Sequence, residues 1–131
     1  MIQFSKNYII LSFFHLMTFT LSAGKLIISD RGAGSIKITN FDGSSSEVLI
    51  PAAGTNVRGI ATDLSMGIIF YADNGSDIIY KTKIDGSERT AIIQSGLGFP
   101  ADITIDRFSK KIYWCDRNND RITSLQVGYL F

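Results

Sequence analysis

The sequence predicts an all-β fold: a partial, open β-propeller of about two and a half four-stranded antiparallel blades, preceded by a signal peptide. Three observations carry this. Short apolar strings ending in aspartate recur at a spacing of 43 residues: Ile27-Ile28-Ser29-Asp30, Phe70-Tyr71-Ala72-Asp73 and Tyr113-Trp114-Cys115-Asp116. Turn residues punctuate the chain between β-branched and aromatic runs, with 12 glycines in 131 residues. Helical periodicity is absent from the chain beyond the leader. A repeat of 43 residues lies in the range of four-stranded propeller blades, in which each unit buries its faces only against its neighbours.

The first element, residues 1–22, reads as the signal peptide. Lys6 supplies a basic start, and Tyr8 to Leu21 is an apolar run interrupted by Ser12, His15, Thr18 and Thr20. Thr20-Leu21-Ser22 places small residues where a signal peptidase cuts, and Ser22-Ala23-Gly24 offers an alternative. The run is short for a membrane span, and no second apolar run of spanning length follows. An uncleaved signal anchor is the competing reading of this segment.

The propeller repeats follow over residues 23–127. A partial blade spans 25–51 and is expected to begin at Lys25 with its second strand. A full blade spans 57–94, with strands expected at Arg58 to Thr62, Ile68 to Ala72, Ile78 to Ile84 and Thr90 to Gln94. The turns between them are Leu64-Ser65-Met66-Gly67, Asp73-Asn74-Gly75-Ser76 and Asp85-Gly86-Ser87-Glu88. A partial blade spans 100–127 and ends after its third strand. Other positions keep the same phase: Asp42-Gly43-Ser44 returns as Asp85-Gly86-Ser87, Asp63 as Asp106, Ile60 as Ile103, and Ile36 as Ile79 and Ile122. The period stops at Val127, and the tail 128–131 belongs to no repeat.

These residues resemble the YWTD repeat, the low-density lipoprotein receptor class B repeat. The third unit is closest to its pattern, with Ile112-Tyr113-Trp114-Cys115-Asp116 preceded by Phe99-Pro100-Ala101-Asp102-Ile103-Thr104-Ile105-Asp106. The first unit is worn, with no aromatic residue before Asp30. The resemblance covers residues 25 to 127. It implies a six-bladed extracellular propeller that binds protein ligands, as in lipoprotein-receptor relatives and nidogen-like matrix proteins. It also implies neighbouring EGF-like or propeller modules. The chain departs from the family in blade number and in lacking cysteine-rich flanks.

Repetition itself argues about chemistry. Catalysis needs one site, whereas a residue present in each blade serves each blade. Asp30, Asp73 and Asp116 are therefore expected to accept bonds from turn amides, as are Asp63 and Asp106. Phe70, Tyr71, Tyr113 and Trp114 alternate along their strands, so that one of each pair is expected to pack between blades. Cys115, the single cysteine, is expected to be a small buried residue without a disulfide partner. Asp42-Gly43 and Asp85-Gly86 are expected hairpin turns.

Two patterns are set aside. Gly32-Ala33-Gly34-Ser35 lies between strands, so a phosphate loop is not expected. Asp116-Arg117-Asn118-Asn119-Asp120 begins like a calcium loop, but Arg121 stands where glycine is required and Val127 where the closing glutamate is required. His15, the only histidine, lies in the leader, which removes imidazole chemistry from the rest of the chain. No catalytic residue, metal site or cofactor is expected. A net charge of +1 without a basic block gives no reason to expect nucleic acid.

Binding is expected on the loops between second and third strands and on those joining blades. Arg31, Asn74 and Arg117 occupy equivalent places one residue after the motif aspartate. Arg58 and Phe99 lead into inner strands. Asn74-Gly75-Ser76 is also a glycosylation sequon in a turn. The expected function is an extracellular protein-binding scaffold, secreted or on the outer face of a membrane receptor, and not an enzyme. The alternatives are a truncated product without independent function and, further off, a propeller hydrolase resembling gluconolactonases. Open blade edges are expected to favour self-association.

Overall fold

The computed structural model describes residues 24–128 in full. Within 1–23 it describes only the backbone of four strands: β1 (Gln3–Ser5), β2 (Tyr8–Ile10), β3 (Ser12–Phe13) and β4 (Met17–Ser22). The hydropathy reading of residues 1–22 as a signal peptide rests on side chains outside the described residues, as do the last three residues of the tail.

The remaining strands form three antiparallel blades. The middle blade holds β8 (Val57–Asp63), β9 (Ile68–Asp73), β10 (Ile78–Lys83) and β11 (Thr90–Ile93), in sequence order from one edge to the other. Each boundary lies within a residue of the sequence expectation, because turn residues mark each end. At Gly43 and Gly86 the backbone turns with φ of 82° and 84°, the left-handed region that glycine enters without cost.

The first blade holds β5 (Lys25–Asp30), β6 (Ser35–Asn40) and β7 (Glu47–Ile50). It also contains β4, which pairs with β5 through Phe19↔Ile28 and Ser22↔Lys25 and lies against β8. The expectation that this blade begins with its second strand is thereby corrected: Met17–Ser22 pairs with β5 as β8 pairs with β9, and β3 pairs with it in turn, which makes this sheet five-stranded. The connection from β4 to β5 is two residues shorter than the Asp63 to Ile68 connection, so the repeat phase did not reveal it.

The third blade holds β12 (Pro100–Asp106), β13 (Lys111–Asp116) and β14 (Arg121–Gln126), three strands as expected. Among the described residues only a short 3-10 turn, Arg117–Asn119, interrupts the all-β architecture. The repeat geometry persists to its end. Val127 N–H donates to Lys110 O at 2.8 Å, as Ile84 N–H donates to Gly67 O at 2.7 Å one period earlier.

Two apolar layers hold the blades together. Between the first and second lie Ile27, Ile36, Ile60, Ile69 and Tyr71. Between the second and third lie Phe70, Ala72, Ile79, Ile112 and Trp114. Phe70 and Tyr71 are both buried because strand alternation sends one to each neighbour. Full burial of such side chains stabilises by about 1.5–3 kcal/mol each, so these layers dominate the fold's stability. Close approach of the inner strands requires Gly59, where a Cβ would stand 2.7 Å from Ile103 N.

Cys115 departs from expectation: it is exposed. Its equivalent one period earlier, Ala72, is fully buried by the third blade, whereas no described residue covers the third blade's own outward face.

Candidate functional site

The motif aspartates act as local crosslinks. Asp73, 2% exposed, accepts from Asn56 N–H at 2.9 Å, Gly75 N–H at 3.1 Å, Thr55 N–H at 3.3 Å and Ser76 Oγ at 2.6 Å. The carboxylate thus ties its own turn to the segment that leads into β8. Burial alone would raise its pKa, but these hydrogen bonds outweigh it and hold the carboxyl below the ordinary 3.8.

Asp116 does the same for the third blade, accepting from Gly98 N–H at 2.7 Å and Asn119 Nδ2 at 2.7 Å. Arg121 adds an ion pair at 3.0 Å. Again burial opposes and the hydrogen bonds prevail, lowering the pKa. Asp30 binds Ala33 N–H and pairs with Lys37 at 2.6 Å. Asp63 takes Ser65 N–H and Oγ, and Asp106 takes Phe108 and Ser109. Each of these carboxylates takes scaffold bonds, and Asp63 Oδ2 alone among their oxygens is enclosed without a hydrogen-bond partner.

Tying the turns to the lead-in segments assembles one face from separate blades. Phe99 lies at its centre with φ of 68°, a left-handed backbone that is costly for a bulky side chain. Two hydrogen bonds hold it there: Phe99 N–H donates to Asp77 Oδ1 at 2.9 Å, and Phe99 O accepts from Arg117 N–H at 3.2 Å. Backbone strain of this kind is of order 1–3 kcal/mol and is concentrated at functional sites.

The Phe99 ring carries two guanidinium groups. Arg58 Cζ lies 5.2 Å and Arg117 Cζ 5.3 Å from its centroid, both within cation–π reach. Arg31 lies close enough for its charge to act on Arg58. Burial first, then the like charges of Arg31 and Arg117, lower the Arg58 pKa. Arginine remains a cation despite this. Two cations, from the second and third blades, thus flank one half-buried aromatic ring, with the charge of Arg31 from the first blade acting on Arg58, and this positive environment favours an anionic ligand.

Of the residues singled out in the sequence, Arg58, Phe99 and Arg117 lie together, and Arg31 is near enough for its charge to act on Arg58. Asn74 is placed otherwise. It is 6% exposed, accepts from Asn56 Nδ2 at 3.4 Å, and its own Nδ2 is enclosed. In this arrangement Asn74 is a scaffold residue beside the site, and its amide is not presented to solvent for glycosylation. Sequence reasoning missed Asp77, which positions Phe99 from a turn without any repeated motif. Among the described residues no group of three or more His, Cys, Asp or Glu side chains is placed to hold a metal.

No family model matches the chain, and no curated protein matches it. Solved structures do. A chain of a nidogen/laminin complex superposes with a TM-score of 0.74 at 30% identity, covering 79% of this chain and 40% of that one. A gluconolactonase from Xanthomonas campestris superposes at 0.59 with 23% identity, covering 70% of this chain and 31% of that one. Virginiamycin B lyase from Staphylococcus aureus gives 0.58 with 20% identity over 83% of this chain and 40% of that one. The latter two likenesses concern the fold alone. The chain spans less than half the length of each. Fold and site together define a β-propeller scaffold, open at the described ends, with a basic-aromatic loop face.

Proposed function

We propose that this chain is a non-enzymatic, protein-binding propeller of the YWTD type, acting outside the cell. The observation that carries the reading is the convergence of Arg58 and Arg117 on the strained Phe99, with Arg31 acting on Arg58. Arginine and aromatic residues dominate protein-interface hot spots, and planar guanidinium groups pair with carboxylates in bidentate fashion. The class of partner that fits is a protein segment rich in Asp and Glu.

The YWTD assignment is supported by Tyr113-Trp114-Cys115-Asp116 and by the likeness to a chain of the nidogen/laminin complex. That complex joins two proteins, which supports a binding role. The extracellular placement is supported by the leader-like composition of residues 1–22 and by the same likeness. Among the described residues no helix is long and apolar enough to cross a membrane.

The test is a titration of the chain with a synthetic Glu/Asp-rich peptide by calorimetry. Removing hot-spot arginines costs about 1–2 kcal/mol each, so the Arg58→Ala and Arg117→Ala variants are expected to bind roughly tenfold more weakly. Affinity should also fall with added salt. Equal binding by the wild type and the Arg58→Ala/Arg117→Ala double variant would refute the site.

A further inference from the structure

On the loop face the Phe99 peptide breaks the 43-residue repeat. One period earlier the lead-in segment gives two successive amides to its own motif carboxylate: Thr55 N–H to Asp73 Oδ2 at 3.3 Å and Asn56 N–H to Asp73 Oδ1 at 2.9 Å. In the third blade the first of these bonds is kept, as Gly98 N–H to Asp116 Oδ1 at 2.7 Å. The second is diverted. Phe99 N–H turns away from Asp116 and donates to Asp77 Oδ1, in the second blade, at 2.9 Å. The carbonyl side does not change: Phe99 O accepts from Arg117 N–H at 3.2 Å, as Asn56 O accepts from Asn74 N–H at 3.1 Å. The left-handed φ of 68° at Phe99 belongs to this diversion, since its equivalent Asn56 has no positive φ.

Local preference favours the undiverted arrangement. A bulky side chain avoids positive φ, and a residue before proline, here Pro100, is drawn to extended backbone. Asp77 opposes both with a single exposed hydrogen bond, and a charge-assisted bond is of the same order as the strain it holds. Asp116 Oδ1 has room for the returning amide: among the described residues it accepts one N–H, where Asp73 Oδ1 accepts two. The turn itself does not need the Asp77 carboxylate. Gly34, at the equivalent position, has the same left-handed backbone, with φ of 59° against 53°. We propose that the Phe99 amide is a two-position latch. Seated on Asp77, it holds the ring beside Arg58 and Arg117, and the face is competent to bind. Returned to Asp116, it lets the backbone extend and withdraws the ring from the two guanidinium groups. Asp77 is thus a positioning residue, acting on the ligand through Phe99 and across the junction of two blades. This inference rests on the reading of the basic face as a site for anionic segments, and it adds a control of that site.

The test turns on a sign. Asp77 is an anion beside a basic face, so by charge alone its removal should tighten an acidic peptide. The latch requires the opposite. Asp77→Gly keeps the left-handed turn, as Gly34 does, and removes the acceptor. It is expected to weaken binding of the Glu/Asp-rich peptide about fivefold by calorimetry. Asp77→Asn removes the charge, keeps an acceptor oxygen, and is expected to bind within about twofold of the wild type. The Nε–H resonances of Arg58 and Arg117 give a readout without ligand. The Phe99 ring current should displace both in the wild type and in Asp77→Asn. In Asp77→Gly they should return toward their positions in Phe99→Leu. Tighter binding by Asp77→Gly, or resonances that Asp77→Gly leaves in place, would overturn the latch. A wild type that does not bind the peptide would remove the reading of the face, and the ligand-free resonances would still decide the latch.

Discussion

At the scale of the residue, Asp73 and Phe99 show how one chain separates scaffold from site. Asp73 is buried and serves four donors from its own turn and the lead-in segment, three of them on exposed residues that water can reach. Net loss of these bonds costs about 1–3 kcal/mol, so Asp73→Ala should destabilise by that order, read from urea unfolding midpoints. The pH dependence has a definite sign. Asp73 and Asp116 have folded pKa values lowered below the ordinary 3.8. Their stabilisation is therefore fully present above the ordinary carboxylate range, and it is lost as pH falls through their folded values. Urea midpoints measured down the acid range should be flat near neutrality and fall below about pH 4. A midpoint that rises on acidification would contradict these assignments. Phe99 behaves differently, since its ring serves the face and its backbone is strained. Asparagine tolerates the left-handed region, so Phe99→Asn should change stability by no more than about 1 kcal/mol. The same variant should weaken binding of the acidic peptide several-fold. A large loss of stability would make Phe99 a core residue and not a site residue.

At the scale of the element, the strands were legible because their ends are written in turn chemistry. Asp73-Asn74-Gly75-Ser76 and Asp85-Gly86-Ser87-Glu88 fix β9, β10 and β11 to within a residue. The alternation Phe70/Tyr71 likewise announced a strand buried on both faces. Three features were not legible, each for a physical reason. The apolar, threonine-bearing segment of β4 has the hydropathy of a leader, and its shortened connection breaks the period. The exposure of Cys115 depends on whether a further blade lies beside it, which a position within a repeat does not encode. The burial of Asn74 depends on Asn56, whose lead-in segment folds back onto the turn. The convergence of Arg58 and Arg117 on Phe99 was foreseen only as separate loop positions, since the packing of neighbouring blades brings them to one ring. That packing depends on inner strands that nearly touch. Gly59→Ala would set a methyl against the backbone of Asp102 and Ile103, at distances of 2.7–2.9 Å before relaxation. Overpacking of this kind costs about 1–3 kcal/mol. Chemical denaturation should show that loss, and weaker peptide binding should accompany it as the blades are pushed apart.

At the scale of the whole molecule, Met17–Ser22 adds a strand to the first blade, yet the hydropathy of residues 1–22 marks a leader. Removal after Ser22 would strip β4 from the sheet and leave an unpaired edge on β5. The binding face is a separate matter, because Arg58, Phe99 and Arg117 lie within the second and third blades and their junction. Its most direct test is a nitrogen–proton correlation spectrum of the labelled chain, recorded during titration with the Glu/Asp-rich peptide. The account predicts that shift changes cluster at the amides of Arg31, Arg58, Phe99 and Arg117 and leave β10, β11 and β14 in place. Changes confined to other loops, or no changes at saturating peptide, would contradict it.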